Sequence, residues 1–135
     1  CVVKKRTKKL KKISINGGFY ENFFRKVPER IKDFKNFVQP RLDSKSGFFI
    51  FQRALPYLAA NNLGFDYNVY DNNSLWHNKF LDGVPKKIKN QEDCLKKPPK
   101  NLFIISDSFS NIIKKYLKKK NSKNKIYTEK DIFNI

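Results

Sequence analysis

The chain has 135 residues, enough for one domain with a buried core but not for two. Thirty Lys and Arg against twelve Asp and Glu leave a net charge of +18, while 39% hydrophobic and 15% aromatic residues exclude a wholly disordered polymer. A surface that positive repels itself unless an anionic partner is near, which puts nucleic acid ahead of a merely solvated lysine surface.

The two cysteines, Cys1 and Cys94, match no metal spacing and no CxxC pair, so a reducing compartment is expected. No apolar run approaches the ~20 residues that span a bilayer, so no membrane insertion is expected. A chain that starts at Cys1 and has no methionine is expected to be preceded by a further segment, such as a cleaved organelle targeting sequence.

Residues 1–12 carry Lys4, Lys5, Arg6, Lys8, Lys9, Lys11 and Lys12 and no acid. With no apolar face to bury, they read as an extended arm that orders against phosphates. Asn16, Gly17 and Gly18 mark a turn. Phe19, Tyr20, Phe23 and Phe24 form a short helical face ending before Pro28, with Arg25 and Lys26 beside it. Residues 34–42 read as a first strand, which Pro40 confines to an edge.

Phe48, Phe51, Leu55 and Leu58 recur at helical spacing, with Ser44 or Ser46 as the cap and Asn62 and Gly64 as the stop. Pro56 predicts a kink or a second short helix starting there. Phe65, Tyr67 and Val69 then alternate with polar residues as a strand, and residues 74–83 read as another, closed by the Asp82-Gly83 turn. His77, the one histidine, has no neighbouring ligand motif and is expected to have no chemical role. Residues 84–101 are basic and proline-containing, a surface loop with one short helical turn. Leu102 to Ile105 form a buried strand. Ser106 or Asp107 caps a final helix with Phe109, Ile112, Ile113, Tyr116 and Leu117 on one face. That helix runs into Lys114, Lys115, Lys118, Lys119, Lys120, Lys123 and Lys125, more cations than a helix dipole asks for. Residues 126–135 read as a small apolar tail.

No GxGxxG, Walker loop, GxSxG, HExxH or CxxC is present, and a lone histidine excludes most histidine triads. The balance predicts a non-enzyme without cofactor or metal. A degenerate α/β enzyme domain lacking its ligand-binding glycines is the third alternative.

The segment SKSGFFIFQRALPYLAANNLGFDYNVYD resembles a stretch of the thioredoxin-like family found in mitochondrial ribosomal proteins and in one small accessory subunit of respiratory complex I. Ser44, Ser46, Gly47, Phe51, Leu55, Pro56, Leu58, Ala59 and Asn61 or Asn62 carry that resemblance. LWHNKFLDG, IISDSFSNIIKKYL and the lead-in INGGFYENFF are similar to further parts of it, the last to a large-subunit member. The resemblance implies an α/β fold, a single thioredoxin-like domain with a small mixed sheet of about four strands and two main helices. Its domain spans residues 13–120, with residues 84–101 as a basic loop insertion. A basic arm (1–12) and a C-terminal tail (121–135) flank it.

It further implies a structural constituent of the mitochondrial ribosome, most naturally its large subunit, in the matrix. Such a protein binds rRNA and other mitochondrial ribosomal proteins as part of a large complex. The rRNA contacts expected are the arm, Arg25, Lys26 and the lysines from Lys114 to Lys125. The alternative is an accessory protein–protein subunit of a mitochondrial respiratory complex.

Overall fold

A computed structural model describes residues 17–134 except 65, 82, 83, 85 and 121, with side chains from residue 25 onward. The basic arm, Asn16, Phe65 and the Asp82-Gly83 turn lie outside the described residues. The elements in order are α1 (Gly17–Val38), β1 (Gly47–Phe49), α2 (Leu55–Ala60), β2 (Asn68–Tyr70), α3 (Gln91–Lys96), β3 (Asn101–Ile104), α4 (Ser110–Lys119), β4 (Lys125–Thr128) and α5 (Glu129–Phe133). Short 3-10 turns lie at Gln39–Arg41, Phe51–Arg53 and Ser74–Trp76.

The four strands form one sheet in the order β2-β1-β3-β4, and every pairing is parallel. The α/β class and the strand number match the expectation; the parallel pairing replaces the mixed sheet. A parallel sheet needs helices on both faces, so its inner strands are buried on both sides. Phe48, Val69 and Phe103 point to one face, where they pack with Phe34 and Val38 of α1, Leu58 of α2 and Ile132 and Phe133 of α5. Phe49, Tyr70, Leu102 and Ile104 point to the other, against Cys94 of α3 and Ile113 and Leu117 of α4.

The handedness of parallel crossovers accounts for this sorting. The step from β1 to β2 moves one way along the sheet, and the steps from β2 to β3 and β3 to β4 move the other way. With every crossover right-handed, α2 must lie on one face and α3 and α4 on the opposite face. That is the arrangement the two clusters show.

Several expected elements are corrected. The helix assigned to Phe48–Leu58 is strand β1, a 3-10 turn and the short helix α2, so its helical spacing was coincidental. The expected break at Pro56 is present, since proline occupies the first turn of α2, where its missing N–H costs nothing. Ser46 caps no helix; its hydroxyl accepts from the Asp43 N–H (3.0 Å) and donates to the Arg41 carbonyl (2.9 Å), closing the turn into β1. The strand placed at 34–42 is the end of α1, which continues through Pro28. Phe34 stacks on Tyr57 at 5.1 Å, and such packing offsets a proline that disfavours the helix interior. In place of the strand expected at 74–83, Ser74–Trp76 form a 3-10 turn, and no strand forms among the described residues up to Leu81.

Residues 84–101 are tied into the body: Val84, Ile88 and Cys94 are buried, and α3 starts at an Asn90–Asp93 capping box. The apolar tail is β4 and α5, an integral strand and helix whose Ile132 and Phe133 enter the core.

Candidate functional site: a lysine rim and two crevices

Parallel strands send all their amino ends to one edge of the sheet and all their carboxyl ends to the other. The two edges here differ in chemistry. At the amino edge, the Lys100 N–H donates to the Lys45 carbonyl (2.7 Å) and the Lys125 N–H to the Lys100 carbonyl (3.0 Å). The approaches to β1, β3 and β4 are thereby fixed side by side, each presenting an exposed lysine.

Lys45, Lys89, Lys97 and Lys100 line a hollow of about 430 Å³ together with Asn68 and Tyr70. Lys89 Nζ donates to Asn68 Oδ1 at 3.1 Å, which holds that ammonium at the rim. Lys114, Lys118 and Lys125 line a second groove of about 460 Å³ between α4 and β4, with Ser122, Asn124 and Tyr127. Among the described residues, Lys114 alone of these three approaches an acid, Asp131, at 4.0 Å.

Of the contacts expected from the sequence, Lys115, Lys118, Lys119, Lys120, Lys123 and Lys125 are exposed and Lys114 is half-buried. Lys114/Lys118 and Lys115/Lys119 are like-charged pairs four residues apart on α4, each costing an isolated helix about 0.2–0.5 kcal/mol. Arg25 and Lys26 are exposed on α1, which packs on the opposite face from α4, so they do not join this group. Lys89, Lys97 and Lys100 belong to the stretch 84–101 that reads in the sequence only as a basic surface loop, and Lys45 stands far from it in the chain; the parallel register gathers the four.

The carboxyl edge is built from the loops after β1, β2 and β3. The loop after β1 turns at Ile50, which has left-handed backbone angles (φ 55°), a conformation that β-branched residues disfavour. Arg53 follows at its end, exposed to solvent.

One crevice, of about 480 Å³, is lined by Arg30, Arg53, Tyr57, Ile105, Asp107 and Glu129 among others. Glu129 is only 7% exposed, and its Oε2 has no hydrogen-bond donor among the described residues. Burial raises its pKa above the ordinary carboxylate range, and the Asp107 carboxyl raises it further. Arg30, at 3.7 Å from Glu129 Oε1, and Arg53 oppose the rise. Paired carboxyls beside two guanidiniums can hold and release a proton near a bound ligand. The sequence offered no sign of this pair, because Asp107 lies in the loop after β3 and Glu129 at the start of α5.

A second crevice, of about 420 Å³, lies on the α4 side and is lined by Phe49, Ile50, Arg53, Asp71, Phe109 and Ile112 among others. Its Asp71 directly follows β2. Asp71 Oδ1 accepts from the Asn73 N–H (2.8 Å), and the Asp71 carbonyl accepts from His77 Nε2 (2.7 Å). His77 thus has a structural part, holding the chain after β2.

Cys94 is fully buried, and burial pushes its thiol pKa up to about 12, which removes thiolate chemistry at neutral pH. Among the described residues no three His, Cys, Asp or Glu side chains gather as a metal set, and no helix is long and apolar enough to cross a membrane. The chain matches no family model, no curated protein and no solved structure.

Proposed function

We propose that the protein is an RNA-binding scaffold, docked through the lysine rim at the amino edge of its sheet. The observation that carries this reading is the backbone linkage that holds Lys45, Lys100 and Lys125 side by side. Lysines fixed along one edge meet successive phosphates and release their counterions on docking. Contacts of this kind read backbone and shape rather than base sequence. The setting we propose, from the sequence resemblance and the charge of +18, is the large subunit of a mitochondrial ribosome in the matrix, with rRNA and neighbouring ribosomal proteins as partners.

The test is binding of a structured RNA across a salt series, by the native chain and by a Lys45→Glu/Lys100→Glu/Lys125→Glu variant. The native chain is expected to show a steep fall of affinity with salt, and the variant a loss of at least about tenfold with a shallower slope. Co-sedimentation with the mitochondrial large subunit is expected to follow the same order. Salt-insensitive binding, or a variant that binds as well as the native chain, overturns the rim. Association with a respiratory complex and no RNA affinity at any salt overturns the ribosomal setting.

A further inference from the structure

In open parallel α/β sheets, ligands bind outside the carboxyl ends of the strands, where adjacent crossovers leave toward opposite faces. In this sheet that point lies between β1, whose chain turns to α2, and β3, whose chain turns to α4. The crevice of about 420 Å³ opens there, and its volume falls within the range of small-molecule sites.

Three features of its lining define a ligand. Phe109 and Ile112 stand 56% and 64% exposed on its wall, apolar surface suited to a flat, partly apolar ring. Asp71 sits directly after β2, its carboxylate steadied by the Asn73 N–H, where an acid accepts hydrogen bonds from vicinal hydroxyls. Arg53 lines both this crevice and the neighbouring one and forms no ion pair among the described residues.

The loop after β1 explains why the cation is needed. Residues 50–54 contain no glycine, and the N–H groups of Ile50, Arg53 and Ala54 already donate to the carbonyls of Tyr70, Ile50 and Phe51, so they are not free for phosphate as the amides of a glycine-rich loop would be. A guanidinium at the loop's end supplies a phosphate contact in their place.

We propose that this crevice binds a nucleoside diphosphate, with its base against Phe109 and Ile112, its ribose hydroxyls on Asp71 and its diphosphate on Arg53. A group carried on the diphosphate enters the adjoining crevice, where the Asp107–Glu129 pair and Arg30 meet it. This site lies at the opposite edge of the sheet from the lysine rim and does not depend on RNA binding.

The experiment is calorimetric titration of the full chain with ADP and UDP and with their 2′-deoxy forms, at a salt concentration that suppresses lysine–phosphate contacts. Saturable binding of ADP or UDP is expected, weakened at least about tenfold by loss of the 2′-hydroxyl. Asp71→Asn, Arg53→Gln and Phe109→Ala are each expected to weaken it by a similar factor. Circular dichroism and melting temperature identify any variant that fails to fold, and the exposure of Arg53 and Phe109 keeps those two substitutions out of the core. The Lys45→Glu/Lys100→Glu/Lys125→Glu variant is expected to bind nucleotide unchanged. The proposal is overturned if neither nucleotide saturates the folded protein. It is equally overturned if Asp71→Asn and Arg53→Gln leave binding intact while the lysine variant abolishes it, an outcome that would assign nucleotide to the rim.

Discussion

Glu129 illustrates how much a single side chain can be asked to bear. Its carboxyl is buried beside a second carboxyl, so its pKa in the folded protein lies above the ordinary value of about 4.3. A group whose pKa is raised on folding favours the native state while protonated and loses that contribution as pH climbs through the folded value. Glu129→Gln removes the ionisation and keeps the shape. The melting temperature of this variant is therefore expected to equal or exceed that of the native protein at pH 7, with the difference narrowing as pH falls through the raised folded value and closed below about 4. A variant that melts lower at pH 7 and level at low pH would show instead that the Arg30 ion pair outweighs burial. Ile50 is the other residue under load. Left-handed backbone angles cost a residue with a Cβ roughly 1–2 kcal/mol, and such strain gathers at ligand sites. Ile50→Gly is expected to leave stability within about 1 kcal/mol of the native value, because relief of strain offsets the lost side-chain contacts; chemical denaturation measures the balance.

At the level of elements, β1 is the piece on which the packing turns. Gly47 at its start faces Tyr70, and an added Cβ would come within 2.7 Å of the Tyr70 ring and 3.3 Å of Pro99. Tyr70 is buried and stacked on Phe49 (6.2 Å), so it has little room to yield. Gly47→Ala is expected to destabilise by about 1–3 kcal/mol, an overpacking cost read from the denaturant midpoint. The same strand shows what the sequence could and could not reveal. Its neighbour β3 was legible because Leu102 to Ile105 stand between polar flanks. β1 was not, since a strand buried on both faces loses the alternation that marks one. Phe48 and Phe51 then fall into helical spacing with Leu55 and Leu58. The end of α1 shows the reverse: Phe34, Phe37 and Val38 stand at helical spacing within the stretch 34–42 that reads as a strand. At the site, the lysines of α4 were visible as a run. Lys45 and Lys100 and the Asp107–Glu129 pair were not, because each set is assembled from positions far apart in the chain.

For the whole molecule, the two edges of the sheet divide the chemistry, and the last two elements complete the body rather than trail from it. α5 packs Ile132 and Phe133 into the larger cluster, and Arg30 of α1 lies over the Phe133 ring at 5.1 Å. Removal of residues 125–135 is expected to abolish cooperative unfolding by circular dichroism, where loss of a mere tail would leave the transition in place. Phe133→Ala alone is expected to cost about 3–5 kcal/mol. The position of β4 also has a bearing on biosynthesis. Until Lys125 to Thr128 have been made, the β3 edge has no partner, and its four residues, all buried in the finished protein, offer unpaired amides and apolar side chains to any other chain. The nascent protein therefore stays adhesive until Lys125 to Thr128 are free of the synthesising ribosome. A chain stopped before Lys125 would be expected to aggregate rather than to persist as a shortened domain.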